Sequence, residues 1–281
     1  MSSLKSKILR RVVPYSLETW SRLKSIDKKP KTSHNLPSCL NLSLTSHPPR
    51  FAKLHLTLFS LLNQRMNYDR LLLWIALEDM KSLPKSVLQL QDYGLTIIPT
   101  DDMRSYKKII PTLEQFPNEF IVTADDDSYY HPKWLSELVA QYNVSRSTSI
   151  CHRARMITLN SKMEMEPYYN WPLIKNSEIS DKFNRNFILP TGIGGILYPP
   201  GVFSDLVTNR DLFESLCPTA DDIWLYWMVR LNEKSAKVVA ADSVFYEWVG
   251  SKTSALYLGN VFKNKNDEAL ELMQRRFPLE F

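Results

Sequence analysis

Asp125, Asp126 and Asp127 follow directly on the apolar run Phe120-Ile121-Val122-Thr123-Ala124. That run reads as a buried strand, so three carboxylates emerge together where a strand stops and a loop begins. Like charges massed at one point repel unless a cation or strong donors offset them. Hard divalent cations such as Mg²⁺ or Mn²⁺ take oxygen ligands and bridge protein carboxylates to substrate phosphates. The triplet therefore points to metal-assisted phosphate chemistry. An EF-hand is excluded, because no glycine stands at loop position six and no glutamate closes the loop.

Other residue groups could complete such a site. Asp221-Asp222 opens the apolar stretch 223–231. A carboxylate there could take the proton of an attacking hydroxyl, and it is also what a plain helix start looks like, since capping and the helix dipole favour it. Pro190-Thr191-Gly192-Ile193-Gly194-Gly195 is the one glycine cluster in a chain with seven glycines. It would let backbone approach a ligand closely and donate N–H groups. Arg50, at the start of a helix, could meet a diphosphate together with the helix N-terminal amides. His131 and His152 are candidate extra ligands, although a lone histidine is more often structural. Tyr168, Tyr169 and Trp171 could stack on sugar faces or simply pack.

The elements that must position these groups alternate. Residues 41–45 read as a first strand, and 50–64 as a helix with Phe51, Leu54, Leu58, Leu61 and Leu62 at helical spacing. Residues 71–76 form an apolar run suited to a strand covered on both faces. Pro84 opens a short helix that Gly94 stops. Residues 95–98 form a third strand, 106–115 a helix interrupted by Pro111, and 120–124 the fourth strand. Further on, 133–142 reads as a helix, 149–152 and 237–240 as strands, and 267–276 as a helix. Strands alternating with helices imply an α/β fold with a mostly parallel sheet flanked by helices. Ligands of such sheets bind beyond the carboxyl ends of the strands, which is where the triplet falls.

Bulk properties bound the classes. At 281 residues the chain suits one large α/β domain, and its apolar share of 44% and charged share of 23% are ordinary. The net charge of +5 is spread along the chain, so no nucleic-acid partner is implied. Three distant cysteines argue against a disulfide framework and fit a cytoplasmic setting. No signal-like apolar core precedes residue 15 and no run of about 18 apolar residues occurs. A membrane-linked substrate would then be met from the cytosolic face of the plasma membrane, with the chain lying peripherally on it. No P-loop, Rossmann GxGxxG or GxSxG motif is present.

Taken in order, Ser43-Leu44-Thr45-Ser46, the helix ending Ser60-Leu61-Leu62-Asn63-Gln64, Thr123-Ala124-Asp125-Asp126-Asp127, the glycine turn 190–195 and Ala220-Asp221-Asp222 resemble the GT-A-fold glycosyltransferases, in particular the bacterial family 2-like enzymes. The resemblance runs from about residue 41 to 240. It implies a GT-A-like catalytic domain over 39–281 after a lead-in arm, 1–38. Within it, 39–130 would bind the nucleotide sugar and 131–250 the acceptor, with 251–281 as a tail. It also implies transfer of a sugar from a nucleotide-diphosphate donor, usually a UDP-sugar, to a carbohydrate or lipid-linked acceptor. Inversion at the anomeric carbon and a place in bacterial cell-surface polysaccharide synthesis go with it.

On that resemblance Asp127 is the direct Mn²⁺ or Mg²⁺ ligand, Asp125 contacts the metal, its waters or the ribose, and Asp126 supports them. Asp222 is the base, with Asp221 next. Thr45, Ser46, Arg50, Asp101, Asp102, Lys107 or Lys108, Gly194 and Gly195 complete the donor site. The turn Ser46-His47-Pro48-Pro49-Arg50 departs from the Tyr-Asn type common in the family. Two alternatives stand beside this reading. One is a nucleotidyltransferase, which usually carries a glycine-rich basic loop after the first strand, where this chain has no glycine. The other is a non-catalytic, glycan-binding partner with the same fold.

Overall fold

β1 (Leu40–Thr45) alternates apolar and polar side chains, and the two-residue period of a strand sorts them onto opposite faces. Leu40, Leu42 and Leu44 are fully buried in one core with Leu54, Leu58 and Leu61 of α1 (Phe51–Leu62). Each such leucine contributes about 1.5–3 kcal/mol relative to exposure. Ser43 faces the other way, and its hydroxyl shares a 2.8 Å hydrogen bond with Thr112 Oγ1. These features come from a computed structural model that describes residues 30–142, 148–174, 184–239, 245–249 and 264–281, with Ser16 and Ile26.

β2 (Arg70–Ala76) is the continuous apolar run and is buried on both faces. Leu71, Leu73 and Ile75 join the α1 core, while the Trp74 indole N–H on the opposite face donates to Thr112 Oγ1 at 2.8 Å. Next come the short helix α2 (Lys85–Leu88) and a 3₁₀ turn that ends at Gly94. There φ is 100°, a left-handed value that a glycine accepts without strain, as the stop signal predicts. β3 (Leu95–Thr100) and β4 (Phe120–Thr123) follow, with α3 (Ile110–Gln115) between them. The helix expected over 106–115 is in fact two pieces, a 3₁₀ turn at Arg104–Lys108 and then α3. Pro111 has no N–H to give to a preceding turn and so sits in the first turn of a new helix.

The remaining elements are β5 (Ser128–Tyr130), α4 (Trp134–Tyr142), β6 (Ser149–Cys151), β7 (Ala154–Met156), β8 (Ile188–Pro190), β9 (Ile196–Tyr198), α5 (Arg210–Leu216), α6 (Asp221–Leu231), β10 (Ala236–Val238), β11 (Phe245–Glu247) and α7 (Lys265–Arg276). Among the described residues the central sheet has seven strands in the order β10-β6-β9-β4-β1-β2-β3. It is an α/β fold. The strands β4, β1, β2 and β3 run parallel, and β9 runs antiparallel between β4 and β6. That antiparallel strand departs from the simple alternation expected. The strand expected over 237–240 is β10, which ends at Val238, and residue 240 lies outside the described residues.

One face of the sheet carries α1 and α4. The other carries α6 and α7, with Trp224, Trp227, Ala269, Leu270 and Met273 in a second core. In the central sheet the strands from 39–130 (β4, β1, β2 and β3) and those from 131–250 (β10, β6 and β9) form two blocks that join where β4 pairs with β9. Most of the expected arm 1–38 lies outside the described residues. Its described end is laid on the domain, with Thr32 bridging to Met66 and the Lys31 ammonium donating to Leu62 O at 2.9 Å. Among the described residues no helix is long and apolar enough to cross a membrane.

Candidate active site

β1 and β4 are parallel neighbours, so their carboxyl ends open on the same side and Ser46 meets the aspartate loop. That loop is clamped through its backbone. The Asp125 N–H donates to Tyr130 Oη at 2.8 Å, Asp126 O accepts from Thr57 Oγ1 at 2.9 Å, and Asp127 O accepts from the Trp248 N–H at 2.8 Å. Thr57 in turn accepts from the Trp248 indole N–H at 2.8 Å. With the backbone held from three sides, the carboxylates diverge toward different partners. Asp126 accepts from the Ser46 hydroxyl and, at 2.8 Å, from Arg50 Nη1. Asp127 lies 2.6 Å from the same Arg50 nitrogen. Asp125 turns the other way and accepts from Lys108 Nζ at 3.0 Å.

Charge and burial oppose each other here. Asp127 is nearly buried, and burial together with the charge of Asp125 pushes its pKa up to about 7, against the pull of Arg50. For Arg50, burial works to lower the pKa, but Asp126 and Asp127 outweigh it and the guanidinium is held above its usual value. At Asp127, burial and the neighbouring carboxylates thus outweigh the pull of Arg50.

The second carboxylate pair joins this cluster through Lys108. Its ammonium lies 3.1 Å from Asp221 Oδ2 as well as touching Asp125, and Asp125, Asp221 and Asp222 outweigh burial to keep it charged. Asp222 is not a plain N-cap. Ala220 holds that position with no side-chain cap bond, and both Asp222 oxygens accept from the Gly192 N–H at 3.1 Å. Burial and the neighbouring Asp221 raise Asp222 to about 7, while Lys108 and the Gly192 N–H pull the other way. Gly192 faces the cluster directly: a Cβ there would lie 2.9 Å from Lys108 Nζ, 3.2 Å from Asp222 Oδ1 and 3.4 Å from Asp125 Oδ1. Removing one partner from a buried ion cluster leaves uncompensated charge and costs about 3–5 kcal/mol. Lys108→Met is accordingly expected to lose that much stability in urea denaturation at pH 8. The loss should be smaller at pH 5, where Asp222 is protonated. A loss under about 1 kcal/mol at pH 8 would mean that Lys108 does not hold the cluster together.

The other two glycines of the turn have a packing reason. A Cβ on Gly195 would lie 2.2 Å from the Trp134 ring, and its φ of 81° with ψ of 144° is open essentially to glycine alone. A Cβ on Gly194 would meet Arg153 Cβ at 2.9 Å, and Gly194 O accepts from the Trp134 indole at 2.7 Å. The close approach expected of Gly194 and Gly195 is therefore made to Trp134 and Arg153 rather than left open for a sugar. Overpacking and backbone strain together make Gly195→Ala cost about 3 kcal/mol or more. A thermal melt checks this, and an unchanged melting temperature would refute it.

Several predicted residues stand apart from the cluster. β3 is the sheet edge, two strands from β1, and the segment after it runs back to bring Lys108 into the cluster while its earlier residues pair elsewhere. There Asp102 accepts from the Arg104 N–H and pairs with Lys107, and Asp101 pairs with Arg210 at 3.2 Å. Thr45 spends its hydroxyl on Trp74 O at 2.7 Å. The His152 ring, buried and stacked on Trp134, lies with Nε2 3.0 Å from Trp134 O, and His131 Nδ1 accepts from the Lys133 N–H at 3.3 Å. Trp171 and Tyr168 are buried packing residues, while Tyr169 is 77% exposed. Conversely, the aspartate loop involves residues that the sequence reading passed over, namely Tyr130, Thr57 and Trp248. Glu247, opposite Ser128 in the β5–β11 register, adds charge beside Asp127. Pairs such as Lys107-Lys108 look alike in sequence and both are buried here; what separates the lysine inside the cluster from the one outside it is the carboxylate each reaches.

A divalent cation suits this donor set. The carboxylates of Asp125 and Asp127 are hard oxygen donors, and a bound cation would relieve the raised state of Asp127. Among the described residues no group of three His, Cys, Asp or Glu converges as a ready cage. The remaining ligands would be substrate phosphates and water, a usual arrangement for Mg²⁺.

No family model and no curated protein matches the sequence. Solved structures with a similar arrangement of elements include S. aureus TarS residues 1–349 in complex with UDP, at 13% identity and TM-score 0.48, covering 86% of this chain and 72% of that one. A second is the mannosyltransferase PcManGT from Pyrobaculum calidifontis in complex with GDP-Man and Mn²⁺, at 14% identity and TM-score 0.46, covering 87% and 68%. A third is the inositol-1-phosphate CTP transferase from T. maritima, at 10% identity and TM-score 0.45, covering 88% and 98%. At these identities and scores the likeness is too slight to assign the chain to any of them.

Proposed function

We propose that this chain is a metal-dependent glycosyltransferase of the GT-A type, moving a sugar from a nucleotide-diphosphate donor to a hydroxyl of a carbohydrate or lipid-linked acceptor. The observation that carries this reading is the single charged cluster in which the Asp125 loop and the start of α6 meet through Lys108. It unites a hard-cation donor set with a separate buried carboxylate raised to about 7, at the carboxyl ends of parallel strands.

In this reading Asp127 and Asp125 hold the divalent cation. When bound, the cation stabilises the charge that gathers on the departing nucleotide diphosphate. Arg50 sits where the α1 end of the loop would meet phosphate, and Asp126, fixed by Ser46, keeps its guanidinium in place. Asp222 accepts the proton of the acceptor hydroxyl as that oxygen bonds to the anomeric carbon and the bond from that carbon to the diphosphate breaks. Direct displacement of this kind inverts the anomeric centre. A base works best with a pKa near the operating pH, and Asp222 has one. The Gly192 N–H holds its carboxylate without supplying a competing proton at neutral pH.

The test is a thermal-shift screen of nucleoside diphosphates, triphosphates and nucleotide sugars, each with and without Mn²⁺. Ligand binding to the native state raises the melting temperature by mass action. A Mn²⁺-dependent shift with one diphosphate and its sugars is the expected result. A preference for triphosphates would instead favour nucleotidyl transfer, and no shift with any nucleotide would refute the transferase reading.

A further inference from the structure

Arg153 and Arg155 concentrate charge of the opposite sign on the acceptor side of the cluster. Arg153 immediately precedes β7 and Arg155 lies within it, and the two guanidiniums are near enough to repel each other. Arg153 Nη1 donates to Thr191 Oγ1 at 2.6 Å. Arg155 Nη1 donates to Trp171 O, and its guanidinium lies over the Tyr168 ring, 4.9 Å from the centroid. Neither guanidinium has a carboxylate within ion-pair distance among the described residues. Arg153 is nonetheless half-buried, and burial pulls its pKa down. The titratable groups that face it are Tyr168, Arg155, Asp222 and Glu247. Two cations that repel each other, one of them half-buried and neither in contact with a counter-charge, have the same unbalanced character as the aspartate triplet. A guanidinium offers five donors in a planar fork that matches an oxyanion, and Arg153 uses one nitrogen, on Thr191.

Thr191 immediately precedes Gly192, whose N–H fixes Asp222. The Arg153 fork and the Asp222 carboxylate therefore hang on the same turn, which is braced by Trp134 behind Gly195. A ligand gripped by one is held in fixed register to the other.

We propose that Arg153, with Arg155 beside it, binds an oxyanion, a carboxylate or phosphate, carried by the acceptor whose hydroxyl is presented to Asp222. This rests on the transferase reading and narrows its substrate to anionic acceptors. Thr191 and the Tyr168 ring are positioning groups that orient the two guanidiniums.

The experiment titrates D-glucuronate, D-glucose 6-phosphate and D-glucose into the full-length protein by ligand-observed NMR, with and without UDP and Mn²⁺. Wild type, Arg153→Gln and Arg153→Lys are compared, and their melting temperatures and nucleotide shifts are recorded in parallel. An anionic sugar should bind wild type at least about tenfold more tightly than glucose. Arg153→Gln should weaken it about 10–100-fold, the range for a lost hydrogen bond to a charged group. Arg153→Lys, which keeps the charge without the fork, should fall between, and the melting temperature and any nucleotide shift should stay unchanged. Which of the two anionic sugars binds distinguishes carboxylate from phosphate. Equal binding of all three sugars, or undiminished binding by a folded Arg153→Gln, overturns the proposal. Oxyanion binding without a nucleotide shift would keep this site and defeat the transferase reading. A nucleotide shift without oxyanion binding would do the reverse.

Discussion

Asp222→Asn should lower turnover about 10²–10⁴-fold, the range for loss of a positioned general base, with little change in substrate affinity. The asparagine carbonyl can still accept the Gly192 N–H, so the turn and the start of α6 keep their geometry while the basic atom is lost. The pH profile separates this from a structural effect. Burial and Asp221 place the Asp222 pKa at about 7, and only the ionised carboxylate can accept a proton. Turnover of the wild type should therefore rise about tenfold per pH unit below pH 7 and level off above it. That acid limb should vanish in Asp222→Asn. Measuring nucleotide diphosphate release against pH for both proteins checks it. An asparagine variant that keeps more than a tenth of the wild-type rate, or that keeps the limb, would remove Asp222 from the role. Asp221, which lies against Lys108, would be next.

Asp127→Ala has the second large effect. A cation held partly by Asp127 would contribute several kcal/mol of stabilisation to the departing diphosphate, so kcat/KM should drop about 10³-fold. The Mn²⁺-dependent part of the nucleotide thermal shift should disappear as well. Stability should respond quite differently. The substitution removes a repulsion with Asp125 and Asp126 and an attraction to Arg50 that Asp126 retains. The ligand-free melting temperature should change little, and at pH 8, with Asp127 ionised in the wild type, it should be least impaired. A variant that melts normally yet keeps the full Mn²⁺-dependent shift would show that the cation is not held by Asp127. A wild type with no metal-dependent shift would remove the cation from the reading altogether.

Much of the framework was legible before folding. The alternation in Leu40–Thr45, the three-and-four spacing of α1 and the unbroken apolar run of β2 each encode an element and the face it buries. These are local periodicities, carried by residues within two or four positions of one another. The aspartate triplet was equally visible, because its chemistry and its place at a strand end are both local. The antiparallel β9 was not, since a three-residue apolar strand after a glycine turn has no period long enough to read and its direction depends on which neighbours it finds.

The site itself divides along the same line. Sequence alone determined that carboxylates would stand at the carboxyl ends of strands and at a helix start, because burying an apolar run forces the polar residues beyond it into a loop. Only the tertiary structure decided which cation meets which anion. Lys107 and Lys108 are chemically identical neighbours, both buried, yet one pairs with exposed Asp102 and the other lies between Asp125 and Asp221. The glycine turn announced close packing, but whether a glycine faces a carboxylate, as Gly192 does, or a tryptophan ring, as Gly195 does, depends on elements brought in from other parts of the chain. The partners of Asp125 and Asp222 lie 17 and 30 residues away. Contacts across such separations are set by strand order and sheet twist rather than by the residues' own spacing, and that is why the charged cluster appears only once the chain is folded.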